Sequence, residues 1–134
     1  MQLQNTILAR NRSLVTMEGP DCFGPLTSLG TNLIGDATGC TITLQPTDRT
    51  GAPSLATFKD NGRPGHGHFP LLRESPAIDA GNDVVCPRRD QLGRRRVGPC
   101  DIGAIEFRDR DKRQPDKADQ QHDGAPAAAA QASQ

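Results

Sequence analysis

Ser75-Pro76-Ala77-Ile78-Asp79-Ala80-Gly81-Asn82, followed by Cys86, by Asp90-Gln91-Leu92-Gly93-Arg94, and by Cys100-Asp101-Ile102-Gly103-Ala104-Ile105-Glu106-Phe107, is the most informative run in this chain. Its large apolar residues come singly or in pairs between Gly, Pro, Asn and Asp. Such spacing leaves no amphipathic helical stripe. Each interior Gly or Pro would cost a helix about 1 or 3 kcal/mol, respectively.

The same pattern extends upstream. The apolar pieces Thr6-Ile7-Leu8-Ala9, Asn32-Leu33-Ile34, Thr41-Ile42-Thr43-Leu44, Pro70-Leu71-Leu72 and Ile102-Gly103-Ala104-Ile105 are short, and several are β-branched and bounded by Asn, Asp or Gly. They read as short strands joined by turns. Residues 40–44 alternate, with Ile42 and Leu44 on one face and Thr41 and Thr43 on the other. Asn5 and Asn11 bracket the first piece and Asn32 opens the second. Asparagine at such corners tolerates left-handed backbone and bonds to neighbouring amides. Residues 60–70, rich in Gly and Pro, read as a long loop.

Composition limits the core. Leu, Ile, Val and Phe total 25 residues, all at or before Phe107, and the final 27 residues contain none. The hydrophobic fraction of 34% lies below the roughly 45–50% of ordinary globular chains. One thin core followed by a disordered, charged, Ala-rich tail over residues 108–134 is the expectation. The formal net charge is zero, so no global field draws in nucleic acid or an anionic membrane. No apolar segment approaches the 18 or so residues of a membrane span. The N-terminus lacks a signal-peptide pattern, which alone suggests a cytoplasmic protein.

The cysteines argue the other way. Cys22, Cys40, Cys86 and Cys100 form no Cys-x-x-Cys pair and have no histidine at zinc-finger spacing. Three pairings are possible. Sequential pairing closes two short loops, each stabilising by about 3 kcal/mol in the chain-entropy model. An oxidising, extracytoplasmic compartment follows from it, the alternative being four reduced, partly buried thiols. Disulfide-type cysteines without a signal suggest a truncated reading frame.

The run from Ser75 to Asn82, the cysteine, "DQLGR" at 90–94 and "CDIGAIEF" at 100–107 resembles, in order and spacing, the choice-of-anchor Q domain. That module lies near the C-terminus of bacterial surface proteins built on right-handed parallel β-helices. "NTILARN" (5–11), "PDCFGPLTSLGTNLIGDATGC" (20–40) and "DNGRPGHGHFPLL" (60–72) are similar to the last rungs and loops of that family. The resemblance implies an all-β fold: terminal β-helix rungs over 1–72, a disulfide-stapled cap over 73–107, and the tail. Two departures stand out, the start at Met1 almost on the first strand and the triple Arg94-Arg95-Arg96. The tail has no LPxTG-like anchor. Implied is a non-enzymatic structural fragment of an exported cell-surface or secreted protein, serving display or adhesion. Its implied partners are missing upstream rungs, or further copies of itself through an exposed rung edge. In the cap, a loop tied by Cys86–Cys100 would lay Ile78, Ile102 and Ile105 over an open solenoid end. Gly81 and Gly103 would supply special backbone angles, and Asp79 and Asp101 would accept turn N–H groups.

Chemistry has weaker candidates. Glycoside hydrolysis needs two carboxylates flanking a cleft. Nothing in the spacing of Asp79, Asp83, Asp90, Asp101 and Glu106 fixes two on one face, and there is no Trp or Tyr for sugar stacking. A fragment of a polysaccharide-degrading β-helix enzyme is therefore the alternative and not the main expectation. His66 and His68 share a face if extended but lack a third ligand nearby in sequence. Asp79, Asn82, Asp83 and Asp101 offer calcium-type oxygens without the fixed spacing of a calcium loop. No cofactor or metal is expected. Arg88, Arg89, Arg94, Arg95 and Arg96 form the one strong charge cluster. Read functionally it is an anion-binding patch, and read plainly it is a solvated loop. No aromatic residue interleaves it, so nucleic acid is not an expected partner.

Overall fold

The computed structural model describes residues 1–12, 14 and 20–109. Residues 110–134, and with them nearly all of the expected tail, lie outside the described residues. Among the described residues there is no α-helix, and no helix is long and apolar enough to cross a membrane.

The strands are very short and run in the order β1 (Gln2–Leu3), β2 (Ile7–Leu8), β3 (Gly24–Pro25), β4 (Thr27–Ser28), β5 (Leu33–Ile34), β6 (Cys40–Thr41) and β7 (Arg49–Thr50). They form three small sheets: β1-β4, β2-β5-β7 and β3-β6. Every pairing is parallel, with Gln2 opposite Thr27, Ile7 opposite Leu33, Leu33 opposite Arg49 and Gly24 opposite Cys40. Three successive passes of the chain thus lie side by side: residues 2–8, 24–34 and 40–50.

Corners explain why no strand grows. Asn5, Arg10, Thr31 and Ser54 all take left-handed backbone, at φ of 49°, 62°, 55° and 48°. For a β-branched threonine this is costly, and neighbours must hold it there. The Thr31 hydroxyl donates to Asn5 Oδ1 at 2.7 Å, and Thr31 N donates to Thr47 Oγ1 at 3.0 Å. Pro25 ends β3 because it has no N–H to continue a ladder. The strand expected over 40–44 accordingly stops at Thr41, and Leu44 lies exposed. Among the described residues its ladder partner, β3, is two residues long, so the alternation downstream finds no partner there. The expected strand at 102–105 is instead a series of bends, with Gly103 at φ 100°.

A polar network sits at the second corner. Asn32 is fully buried. Its Nδ2 donates to Leu3 O, Ser28 Oγ and Asp48 Oδ1, at 3.1, 2.9 and 3.1 Å, while its Oδ1 accepts from Thr6 N at 3.1 Å. Asp48 also accepts from Asn32 N and Gln45 N and from the Ser28 hydroxyl. All three passes of chain are joined at this point. Burial works against Asp48 ionisation, but hydrogen bonds from Ser28, Gln45 and Asn32 outweigh it and hold the carboxyl below its ordinary value. A carboxylate of lowered pKa stabilises the fold above its unfolded pKa, and that stability drains away as pH falls through the folded one. Asp48→Ala is therefore expected to cost about 2 kcal/mol at neutral pH, since buried donors lose their acceptor. The gap between variant and parent should narrow below about pH 4 in urea melts. A gap that is flat with pH would count against an ionised Asp48.

The apolar core gathers Leu33, Leu71, Ala77 and Ile102, with Ile7, Leu55, Ile78, Ala80 and Phe107 packed around them. Residues from all along the described chain thus share one core. Residues 54–72 enter it as an antiparallel hairpin, with Leu55 opposite Leu71 and Lys59 opposite His68. The Gly/Pro-rich segment expected as a loop forms the tip of this hairpin. Cys22 is bonded to Cys40 and Cys86 to Cys100, with Cα atoms 5.5 and 6.6 Å apart. Two disulfides in one small domain point to an oxidising, extracellular environment.

Candidate functional site

Residues 73–107 fold against the first pass of the chain. Asn82 N donates to Asn5 Oδ1 at 2.7 Å, Asn5 Nδ2 returns a bond to Asn82 O at 3.1 Å, and Gly103 N donates to Asn5 O at 2.9 Å. A Cβ on Gly103 would stand 2.9 Å from Ile7 Cδ1, so both its φ and its space require glycine. Gly81 has a different reason. It is not among the left-handed residues, but a Cβ there would lie 2.6 Å from Cys100 Sγ. The left-handed residue of the Ser75–Asn82 run is Asp79, at φ 52°.

The carboxylates of this segment are occupied by backbone amides. Asp101 accepts from Asp79 N at 2.8 Å and from Phe107 N at 2.5 Å. Burial pushes the Asp101 carboxyl up, against those two hydrogen bonds and helped by the charges of Glu106 and Asp79. Asp83 accepts from Cys100 N at 2.7 Å. Asp90, almost fully buried, accepts from Leu92 N and Arg94 N, at 3.0 and 2.9 Å, and pairs with Arg94 Nε at 3.2 Å. Glu106 accepts from Val97 N and pairs with Arg96 Nη1 at 2.7 Å, both side chains being under a tenth exposed. Arg96 Nη2 reaches Gly103 O, also at 2.7 Å. These acids brace turns, as side-chain acceptors for otherwise orphaned N–H groups do.

The arginine cluster is thereby divided. Arg94 and Arg96 turn inward to Asp90 and Glu106, while Arg88, Arg89 and Arg95 stay exposed. The histidines part company as well. His68 is nearly buried, with Nδ1 3.0 Å from His66 O and 3.3 Å from Asn61 Nδ2, in a packing role within the hairpin. Among the described residues no three His, Cys, Asp or Glu side chains gather as a metal site, and Asp79, Asn82, Asp83 and Asp101 do not converge as one.

Two concavities flank this segment. The larger, about 970 Å³, lies between β2 and the 54–72 hairpin, with Ile7, Phe58, Phe69 and Ile105 supplying apolar walls and Arg89, Asp90 and Gln91 a polar side. Phe58 and Phe69 meet edge to face, with centroids 5.2 Å apart, and Arg10 lies 6.0 Å over the Phe69 ring. Sequence reasoning missed this wall because the two rings come from opposite arms of a hairpin whose pairing no motif announces. The smaller concavity, about 490 Å³, is lined by Arg88, Arg89, Arg95 and Arg96 beside the Cys86–Cys100 bond. No protein-family model, curated protein or solved structure matches this chain.

Proposed function

We propose that this chain is a non-catalytic structural part of an exported β-helix protein, carried on the cell surface or secreted, with residues 73–107 forming a cap related to the choice-of-anchor Q domain. The observation that carries this reading is the succession of parallel ladders. β1 and β2, then β3 to β5, then β6 and β7 repeat in the same order, each pass stacking on the one before. Short strands, left-handed corners and a polar network joining three passes suit a coiled solenoid, in which each repeat contacts its neighbours.

The partner in this reading is another strand-bearing segment, either further rungs of a parent protein or a second copy. β2 is a terminal strand of its sheet, and residues 4–7 open onto the larger cleft. An edge strand in an apolar cleft is a template for strand addition. Sedimentation equilibrium of the oxidised chain should therefore show self-association at micromolar concentrations. A monomer that still melts cooperatively after reduction would sink the proposal. Incubation with pectin, alginate and xylan should release no new reducing ends or unsaturated products. Turnover of any of them would put the polysaccharide-degrading enzyme in its place.

A further inference from the structure

We propose that the hairpin spanning residues 88–96 is a binding site for an acidic polysaccharide, held by the opposed pair Arg89 and Arg95 together with Arg88, all three lining one hollow. The hairpin is defined by Arg96 N donating to Arg88 O at 3.0 Å and Asp90 N donating to Arg94 O at 2.8 Å, with Arg89 bridged antiparallel to Arg95 between them. Those two bonds flank the Arg89–Arg95 position, making it a non-hydrogen-bonded pair. Such pairs bring opposed residues closest, about 4.5 Å between Cα atoms, with side chains leaving the same face. Like charges directly opposite one another destabilise a hairpin. Here the arrangement is built in, and no carboxylate among the described residues pairs with either arginine.

The neighbouring arginines show that the chain neutralises such charges when they serve the fold. Arg94 pairs with buried Asp90, and Arg96 pairs with buried Glu106. The outward set is treated differently. The guanidinium groups of Arg88 and Arg95 have no hydrogen-bond or ion-pair partner among the described residues, and Arg89 spends one N–H group on Gly93 O, at 2.7 Å. The hollow between them, about 490 Å³, carries a single acid, Asp83, and that carboxylate already accepts from Cys100 N. The Cys86–Cys100 bond pins one side of the hollow, so its arginine stems start from a fixed frame.

Paired guanidinium forks suit carboxylate and sulfate oxygens, which they bind in bidentate fashion. A polymer bearing such groups at regular intervals can satisfy Arg89 and Arg95 together while its neighbouring anion enters the hollow at Arg88. The extracellular setting indicated by the two disulfides is where such glycans occur. Nucleic acid fits less well, because no aromatic ring stands on this face to stack a base. This site stands on the hairpin geometry alone and does not depend on the structural role proposed above.

The test is titration of the full oxidised chain with a heparin hexasaccharide and, separately, with an oligogalacturonate, at low and moderate salt. The first distinguishes sulfate, the second carboxylate, as the preferred group. Arg89→Gln/Arg95→Gln should weaken binding of the preferred glycan at least tenfold and lower the slope of log Kd against log salt by roughly 1.5 to 2, as two fewer charges displace counterions. Arg89→Lys/Arg95→Lys should keep the salt slope while losing part of the affinity, because a point charge replaces a fork. The distant Arg73→Gln should bind as the parent does. The Gln variant removes only exposed side chains, and its melting point should equal or exceed the parent's. Unchanged affinity in that variant, no binding of either glycan, or tighter capture of a single-stranded oligonucleotide than of both glycans would each overturn the site.

Discussion

Reduction of the two disulfides is expected to unfold this chain at room temperature. Cys22–Cys40 and Cys86–Cys100 close loops with sequence separations of 18 and 14. In the chain-entropy model each loop stabilises by about 3 kcal/mol, or about 6 kcal/mol together. Small domains are stable by only about 5–15 kcal/mol in total. This one begins near the low end, because among the described residues the largest fully buried apolar side chains are Leu33, Ile34 and Ile102. Urea melts with and without reductant measure the effect directly. Cys86→Ser/Cys100→Ser should also loosen the packing of Gly81 against residue 100, within residues 73–107. If the midpoint in urea stays put on full reduction, the core is far stronger than its contents indicate.

Breaking the Arg96–Glu106 pair is the second large effect. Both side chains are nearly buried, and Arg96 Nε already lacks a hydrogen-bond partner. Glu106→Gln leaves a guanidinium charge enclosed with no counter-charge, which costs about 3–5 kcal/mol. Removing both charges together is a different matter. Arg96→Met/Glu106→Leu keeps volume and abolishes the desolvation penalty, so it should lie within about 1–2 kcal/mol of the parent. Val97 N and Asp101 N would lose their acceptor and Gly103 O its donor in that variant, which together set its residual cost. A double-mutant cycle in urea separates the two outcomes. Equal losses in the single and double variants would mean that the ion pair is incidental and the backbone bonds matter.

Much of the architecture was legible in the chain. Short apolar pieces between Gly, Pro, Asn and Asp foretold brief strands and no long helix before residue 108, as the described residues show, and the parallel pairing at Ile7 and Leu33 falls within two of the pieces read as strands. Asn5 does take a left-handed corner, whereas at the next corner it is Thr31 that bends and Asn32 that bonds. That exchange was hidden because a corner needs one residue for the angle and another for the orphan amides, and composition does not say which is which. The glycines show the same limit. Gly103 was readable as a backbone-angle position, but Gly81 is set by the proximity of Cys100, a long-range contact no local rule contains. The arginines Arg88 to Arg96 looked alike in sequence. Only the three-dimensional positions of Asp90 and Glu106 separate those that brace the fold from those that face solvent.

The bonds from Asn5 to Asn82 and Gly103 carry a consequence for how the chain acquires its shape. The first strand's neighbour is completed by residues made near the end of the described chain. Contacts of such long sequence separation are slow to form, because the loop must be closed before any of its contacts are gained. Until then Asn5 and the side chain of Ile7 lack the cover that Asn82 and Gly103 give them, while Cys22–Cys40 is already able to close. The Cys86–Cys100 bond and the docking of Gly103 come last. Folding is thus completed by residues far along the chain from the strand they cover, and an oxidant arriving too late, or a halt before residue 103, leaves Asn5 and Ile7 without that cover.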